Sequence, residues 1–240
     1  MIVHFLAAGD RAVLIEFGAR IDRELSKLVL RFNAIIRATP PAGVVETVPT
    51  FRSLMVYYNP LITSRSEIEK TLSELIDRHE TPATMTKLWY VPICYEGEFA
   101  PDLEEVARLT GLTPAEVVAR HSAPEFHVYM LGFLPGFPYM GDLPEVLALP
   151  RRADPRMRVP AGSVSIATSL TAIYPYESPG GWHLIGATPV RLFDPDRTPP
   201  ALLAPGDAVK FRPIDAAAFA AIRRAVGDGS YEVESAPVRR

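Results

Sequence analysis

Hydrophobic and polar positions follow different patterns in the two parts of the chain. In the stretch "RAVLIEFG", Val13, Ile15 and Phe17 recur at every second position, which predicts a half-buried strand. Between residues 21 and 36 the apolar positions recur at spacings of three and four, and Pro40 follows, which predicts an amphipathic helix. The first part therefore alternates strands with helices.

Two more strands and a second helix complete this first part. The stretches "GVVETV" and "SLMVYY" predict strands, and Ser64 with Glu67 forms a capping box in front of the second helical pattern. Two helices and about four strands indicate a small α+β sandwich, with the helices on one face of an antiparallel sheet. We assign residues 1–85 to this domain, and the polar, proline-containing stretch "HETPATMTK" (79–87) predicts a linker at its end.

The second part begins with a strand and a pair of helices. "KLWYVPICY" predicts the strand, and "APDLEEVARLTGLTPAEVVARHS" predicts the helices. Pro101 suits the first turn of the first helix, Gly111 suits its C-terminal cap, and Thr113 with Glu116 begins the second helix. The pair superficially matches a DNA-binding helix-turn-helix, but Glu116 would face the phosphates and repel them. We expect the helices to pack against a sheet instead.

After Phe126 the chain consists of short apolar runs separated by proline and glycine. Residues 133–213 hold 14 of the 24 prolines. Short strands at such close spacing predict a β-barrel or a sandwich. Asp215 caps a final alanine-rich helix that ends at Gly227. We assign residues 86–240 to this second domain, so the predicted fold class is α+β.

Composition and charge argue against two classes of binding partner, nucleic acids and membranes. With 48% hydrophobic residues the chain can form a core, and its net charge of −3 argues against a nucleic-acid binder. The N-terminal stretch "MIVHFLAAGDRAVLIEF" lacks a basic segment and its apolar run is interrupted by "GDR", so it does not predict a signal peptide. No apolar stretch approaches the roughly 20 residues of a membrane-spanning helix. We expect a cytoplasmic protein that binds neither nucleic acid nor a membrane.

Cysteine and histidine usage argues against metal chemistry. Cys94 is the only cysteine, which excludes a cysteine-rich zinc site, and the five histidines lack metal-ligand spacing. We expect no metal in this chain, and we expect Cys94 to be a small buried hydrophobic residue. Phosphate-loop, zinc-protease and nucleophile-elbow motifs are also missing from the sequence, so it names no catalytic residue.

Three stretches of the second domain share a composition that predicts a common cleft. "GFLPGFPYMGDLP" (132–144) is stiff and apolar, which suits either a preformed pocket edge or a buried crossover that plugs the barrel end. "LPRRADPRMRVPAGS" (149–163) carries four arginines within eight residues, which suit a carboxylate or phosphate, with ion pairing inside the fold as the alternative. "YPYESPGGWHLIG" (174–186) repeats the proline, glycine and aromatic residues. The candidate substrate-binding residues are Phe133, Phe137, Tyr139, Arg151, Arg152, Arg158, Ser163, Tyr174 and Trp182.

Four long stretches of unusual composition allow comparison with a known family. They read "HSAPEFHVYMLGFLPGFPYMGDLP", "PRRADPRMRVPAGSVSIA", "IYPYESPGGWHLIGATPVRLFD" and "LLAPGDAVKFRPI". With them the chain resembles the allophanate hydrolase subunit 1 family, which is also known as the 5-oxoprolinase B subunit or KipI sporulation-kinase inhibitor family and includes part of the carboxyltransferase domain of urea carboxylase. The resemblance covers nearly the whole chain and implies a small N-terminal α+β domain followed by a cyclophilin-like β-barrel.

The resemblance also implies a partner and a reaction. Members usually pair with an allophanate hydrolase subunit 2-type protein, and with a third subunit such pairs open 5-oxoproline to glutamate in an ATP-dependent reaction. In urea carboxylase the corresponding region transfers a carboxyl group from biotin to urea. We therefore expect a subunit of an ATP-dependent amide or lactam hydrolase that shares ATP with its partner. The alternative is a KipI-like inhibitor that docks on a sensor histidine kinase through the "GFLPGFPYM" surface.

The chain departs from the family pattern at several positions. It reads "ATSLTAIYP" where the family has "AGNQTGIYP", and it lacks one glycine and one arginine elsewhere. Because an asparagine–glutamine pair can hydrogen-bond an amide or a carboxylate, the loss of this pair favours an altered ligand or a regulatory role. The departing residues are Asp142, Thr168, Ser169, Leu170, Ala172 and Ala187.

Overall fold

The computed structural model describes residues 3–76 and 85–239 of the chain. They belong to two compact units, one within Met1–Met85 and the other Thr86–Val238, and each unit has its own hydrophobic core. Positions 79–84 of the predicted linker lie outside the described residues. Within the described ranges, none of the helices is long and apolar enough to cross a membrane.

The first unit is an antiparallel sheet packed against two helices. Residues 3–76 form the strands β1 (His4–Ala7), β2 (Ala12–Glu16), β3 (Val44–Pro49) and β4 (Ser53–Tyr58) and the helices α1 (Arg23–Ala38) and α2 (Arg65–Ile76). The sheet order is β1-β2-β4-β3, with antiparallel neighbours throughout. The predicted α+β sandwich is confirmed. The short edge strand β1 was missed by the sequence analysis.

Capping residues and apolar spacing account for both helices. The Asp22 side chain accepts hydrogen bonds from the N–H groups of Glu24 and Leu25 at 2.9 and 3.2 Å, which begins α1. At α2 the predicted capping box is present, because Ser64 N–H donates to the Glu67 carboxylate at 2.8 Å and Glu67 N–H donates back to the serine hydroxyl at 3.3 Å. Both helices then bury apolar residues in the same core as the sheet.

The second unit is built around a closed β-barrel. Residues 85–239 form the strands β5 (Met85–Cys94), β6 (Glu125–Leu131), β7 (Pro138–Gly141), β8 (Arg156–Val159), β9 (Ser163–Ala167), β10 (Leu170–Ile173), β11 (Ser178–Gly180), β12 (His183–Ala187), β13 (Ala208–Ile214) and β14 (Ser235–Arg239). The helices of this range are α3 (Leu103–Thr110), α4 (Pro114–Ser122) and α5 (Ala216–Gly227).

The order of the strands shows how the barrel closes. Seven strands from residues 85–239 follow the order β12-β9-β10-β7-β6-β13-β5, and the pair Ala187–Cys94 joins β12 to β5. Strand β14 continues the sheet beyond β5, and β8 with β11 forms a separate ribbon. The predicted cyclophilin-like barrel is confirmed, and Cys94 is buried as expected.

Helices α3 and α4 follow their predicted caps with one correction. Gly111 ends α3 at φ 70°, and Thr113 with Glu116 forms the capping box of α4. Asp102 occupies the N-cap of α3, so Pro101 lies before the helix and not in its first turn. The Asp102 side chain makes no capping bond to this helix, because its oxygens bind elsewhere.

A buried histidine on α4 connects the helix to the barrel. Tyr95 donates its hydroxyl hydrogen to His121 Nδ1 at 2.8 Å, and His121 Nε2 donates to Thr171 Oγ1 at 2.9 Å. Thr171 Oγ1 donates in turn to Ser165 O at 3.0 Å. Because that carbonyl can only accept, the threonine hydroxyl must accept from His121 Nε2–H, and in the neutral ring Nδ1 then accepts from Tyr95.

The surroundings of His121 oppose its protonation. The imidazole ring stacks on Phe211 with centroids 4.8 Å apart, and the side chain is fully buried. Burial lowers the pKa of His121 to about 3, and burial raises the pKa of Tyr95. The sequence analysis did not single out this histidine, because its partners lie far away along the chain.

We predict that His121 makes the protein less stable as the pH falls. In the unfolded chain His121 binds a proton below about pH 6.5, whereas in the folded protein its pKa is about 3 and it binds a proton only near that pH. The unfolded state therefore binds more protons between these values, and the free energy of unfolding falls by up to about 1.4 kcal/mol per pH unit. Urea unfolding of wild type and His121→Gln across this range should show a shallower pH slope for the variant.

The exposed His4 provides the control for this experiment. His4→Gln should keep the wild-type pH slope and the wild-type stability. An unchanged slope in His121→Gln would mean that other groups cause the acid sensitivity.

Candidate functional site

Five aromatic side chains from the predicted site meet on one side of the barrel. The Phe137 ring lies at the centre, with centroid distances of 5.0 Å to Tyr139, 5.1 Å to Tyr174 and 6.4 Å to Trp182. Phe133 packs edge-on against Phe137 at 5.4 Å. We call these five residues the aromatic cluster. The structure thus brings together rings from two of the three predicted stretches.

The turn between β6 and β7 controls which rings are accessible. Phe137 is buried, whereas Phe133 is 62% exposed and has a φ of 71°, a left-handed conformation that residues other than glycine rarely adopt. Gly132 N–H donates to Phe137 O at 3.1 Å and Phe137 N–H donates to Leu134 O at 3.0 Å, which holds the turn in this shape. Strained backbone conformations cluster at binding and catalytic sites, which makes this turn a candidate for one.

Burial and nearby charges act on two phenol groups of the cluster. Burial, with a smaller contribution from Tyr139, raises the pKa of Tyr174 to about 12, while Arg151 and Arg156 act in the opposite direction. Burial also raises the pKa of Tyr139, again against the effect of Arg151. Both hydroxyls are therefore protonated at neutral pH and can donate hydrogen bonds. The exposed Arg151 adds a positive charge, so the group can hold a carboxylate or a carbonyl oxygen.

Gly180 leaves room for the Tyr174 hydroxyl. A Cβ atom at position 180 would lie 2.3 Å from the phenol oxygen, which is closer than real Cβ contacts allow. The glycine in the predicted "SPGGW" stretch therefore permits a close approach of the ring to the β11 backbone.

Two other arginines of the stretch 149–163 are held by carboxylates, the predicted site residue Arg152 and its neighbour Arg156. Arg152 Nη1 lies 3.2 Å from Asp102 Oδ1 and 2.7 Å from Glu105 Oε2, and Arg156 Nη2 lies 2.5 Å from Asp102 Oδ1. The Asp102 side chain is only 4% exposed. For Arg152 and Arg156 the structure thus shows ion pairing inside the fold, which the sequence analysis had kept as the alternative. A buried carboxylate needs such partners because an unpaired buried charge is strongly unfavourable.

Arg158 lies apart from these groups. Its side chain is 81% exposed and its Nε lies 2.9 Å from Glu177 Oε1, next to the β11 strand of the β8–β11 ribbon. Arg158 is therefore paired with Glu177 at the surface, whereas the charge of Arg151 acts on the pKa of both tyrosines. The structure does not bring the predicted arginines together around one hollow.

A cleft of about 790 Å³ opens beside the β9 end of the barrel. The sequence analysis missed it, because its walls come from segments far apart in the chain. Of the predicted site residues, only Ser163 lines it. The lining also includes Phe99, Gly162, Tyr176, Thr188, Arg191, Phe193, Phe219 and Arg223. Gly162 is required there, because a Cβ would lie 2.3 Å from Thr188 O.

The positions that depart from the family pattern fall in different places. Thr168 and Asp142 have φ values of 52° and 72°, so both adopt a conformation that glycine adopts more readily. Leu170 and Ala172 are buried in β10, and Ala187 lines the 790 Å³ cleft. Within the described residues, no group of three histidine, cysteine, aspartate or glutamate side chains could hold a metal ion.

Comparison with known proteins identifies relatives of the chain. It is 42% identical over 217 residues to the 5-oxoprolinase B subunit of Bacillus subtilis (strain 168), a match that covers 85% of this chain and 89% of that protein. The crystal structure of TTHA0988 superposes with a TM-score of 0.76 at 37% identity over 86% of this chain, and the chain spans only 40% of the TTHA0988 chain.

A more distant structure has the same fold. The K. lactis urea amidolyase superposes with a TM-score of 0.83 at 21% identity, over 98% of this chain and 16% of that chain. Residues 3–203 also match the family described as the carboxyltransferase domain, subdomain C and D. The chain therefore belongs to the family of carboxyltransferase domains, subdomains C and D, together with the B subunits of 5-oxoprolinase.

Proposed function

We propose that this chain is the B subunit of an ATP-dependent 5-oxoprolinase, which opens 5-oxoproline to glutamate. The observation that carries the proposal is the 42% identity to a 5-oxoprolinase B subunit over 89% of that protein's length. The urea amidolyase match is weaker evidence for function, because at 21% identity it bears on the fold alone. The chain would act with an allophanate hydrolase subunit 2-type protein and a third subunit, as a hetero-oligomer.

The chemistry of 5-oxoproline suits the groups at the aromatic cluster. The substrate carries a carboxylate, which the Arg151 guanidinium can bind through two parallel hydrogen bonds. Its lactam carbonyl can accept hydrogen bonds from the protonated hydroxyls of Tyr139 and Tyr174. Ring opening adds water across the lactam: the carbonyl carbon gains a hydroxyl, the C–N bond breaks and the nitrogen gains a proton. We assign binding and orientation to these residues and no proton transfer.

The cleft has little unpaired positive charge, so in our proposal a nucleotide site there is shared with the partner. A triphosphate needs several cations, yet Arg191 is already paired with Asp194 at 3.0 Å. Arg223 lies over the Phe219 ring, 5.8 Å from its centroid, and is exposed. In our proposal the cleft contributes one wall of the nucleotide site, and the partner subunit supplies the remaining positive charge.

We predict that Arg151→Gln weakens substrate binding in the assembled enzyme. KM for 5-oxoproline should rise by about 10- to 100-fold, because a hydrogen bond to a charged group contributes about 1.5–3 kcal/mol. Arg158→Gln is the matched control, since it removes the same charge from a solvent-exposed position. Steady-state kinetics in which both variants behave like wild type would contradict the assignment of Arg151.

We also predict that turnover requires the partner. The chain alone should release no glutamate from 5-oxoproline and ATP, whereas the chain mixed with a subunit 2-type protein and the third subunit should do so. The complex should elute as one peak in size-exclusion chromatography. Glutamate formation by the isolated chain would exclude the shared-site arrangement.

A KipI-like inhibitor of a sensor histidine kinase is the second candidate, favoured by the exposed ring of Phe133 on the predicted docking stretch. If this function is correct, the chain should suppress kinase autophosphorylation in vitro, and Phe133→Ala should relieve the inhibition. The buried neighbour Phe137 is not a suitable control, because its loss would disturb the fold. Affinity purification that recovers only metabolic subunits would reject this candidate.

A further inference from the structure

The lining of the 790 Å³ cleft carries a buried hydroxyl group that the fold does not use. Ser163 lines the cleft at the start of β9, and this residue is only 5% exposed. Among residues 3–76 and 85–239, none exchanges a hydrogen bond with its hydroxyl group. Because buried polar groups in native proteins are nearly always hydrogen-bonded, this hydroxyl indicates a contact point for a ligand.

The backbone around Ser163 is bonded on every side. Gly162 N–H donates to Tyr174 O at 2.7 Å, and Tyr174 N–H donates to Ser163 O at 2.9 Å. Ser163 N–H donates to Pro160 O at 3.2 Å, and Thr188 N–H donates to Gly162 O at 2.9 Å. The neighbouring segments therefore hold the serine in place through backbone bonds alone, and its hydroxyl remains available.

Aromatic rings line the cleft in two pairs from different elements. Phe99 and Phe219 pack with their centroids 4.2 Å apart, and Tyr176 and Phe193 pack at 6.1 Å. Tyr176 is 41% exposed, whereas Phe219 is 6% exposed. The Tyr176 ring is therefore accessible to a flat ligand, and a nucleic-acid base of any kind can stack on such a ring.

The charges of the lining balance. The charged residues among the lining residues are two arginines and two carboxylates: Arg191, Arg223, Glu98 and Asp194. Arg191 Nη1 lies 3.0 Å from Asp194 Oδ2, so one arginine is already paired. A cleft without net positive charge suits an uncharged ligand better than a row of phosphates.

We propose that the cleft binds the nucleoside part of ATP, with the Ser163 hydroxyl hydrogen-bonded to the base and the Tyr176 ring stacked on it. The phosphates then extend out of the cleft towards the partner subunit. The identity of the nucleotide rests on the proposed function, and the inference adds which part of the nucleotide this chain holds. The competing explanation is a surface hollow that binds no nucleotide.

The test uses the full chain without its partner and the probes adenosine, ADP and ATP. Isothermal titration calorimetry should detect binding of adenosine, and ATP should bind about as tightly, because the phosphates gain little from the cleft. The affinity for adenosine should stay constant as salt is added, since adenosine is uncharged. Binding of ATP without binding of adenosine would mean that the chain holds the phosphates, which would overturn the proposal.

Two variants examine the assigned contacts. Tyr176→Ala should weaken adenosine binding by about 5- to 100-fold, the range expected for the loss of one base-stacking ring. Ser163→Ala should weaken it by about 2- to 10-fold, the range for one neutral hydrogen bond. Wild-type affinity in both variants would place adenosine outside this cleft and contradict the proposal.

The chain offers a matched control for each variant. Tyr57 is 40% exposed and belongs to the first unit, so Tyr57→Ala removes an equally accessible ring far along the chain from the cleft lining. Ser178 is 6% exposed and is not part of the lining, so Ser178→Ala removes an equally buried hydroxyl. Both controls should bind adenosine like wild type.

Thermal unfolding without ligand separates a binding role of Ser163 from a structural one. Ser163→Ala should melt at the wild-type temperature or above it, because the removed hydroxyl bonds to no other described residue and its burial is unfavourable. A lower melting temperature together with unchanged adenosine binding would assign the hydroxyl to the fold and overturn the proposal.

Turnover of 5-oxoproline in the assembled enzyme distinguishes this inference from the proposed function. If the assembly hydrolyses 5-oxoproline with ATP but the chain does not bind adenosine, the proposed function stands and this inference fails. If adenosine binds and the two variants weaken it as expected, but 5-oxoproline is not a substrate, the nucleoside site stands and the proposed function fails.

Discussion

The Asp102 carboxylate is nearly inaccessible to water, and it accepts hydrogen bonds from two guanidinium groups and from the backbone of β12. A charge in such a place is tolerated only when its partners surround it, so their arrangement is strongly constrained. Arg152 lies in the loop 149–155, Arg156 begins β8, the backbone donor Leu184 lies in β12, and the carboxylate lies at the N-terminal end of α3. One buried ion therefore relates a helix, a barrel strand and a long loop to one another.

The aromatic cluster lies in the same unit as this buried ion. Its rings pack at centroid distances of 5.0–6.4 Å, and its two phenols are made hard to ionise by burial. Rings on short, proline-rich turns need little reorganisation to receive a ligand. Arg151, an exposed residue of the loop 149–155, adds the positive charge that a carboxylate ligand would require. A rigid apolar surface and one exposed cation together favour a small anionic molecule over an extended polymer.

The 790 Å³ cleft differs from the aromatic cluster in its charged groups. It is lined by aromatic rings from several elements and by two arginines, one that is already paired and one that is exposed. It is large enough for a nucleotide-sized ligand but supplies little unbalanced positive charge. The second unit thus has a polar aromatic site in one place and a cleft with little unpaired positive charge in another. This arrangement agrees with our proposal that the chain works as one subunit of a larger enzyme.

The sequence by itself determined the secondary-structure elements and the stretches that supply the rings of the aromatic cluster. Alternating and helical spacings identified strands such as β2 and helices such as α1, and local caps such as Thr113–Glu116 marked their ends, because these features depend on residues close together in the chain. The tertiary structure alone decided which arginines are paired with the buried carboxylate. Asp102 and Arg152 are 50 positions apart, as are His121 and Thr171, and no local pattern indicates such pairs. Ion pairing and burial depend on distances in space, which exist only after the barrel has closed.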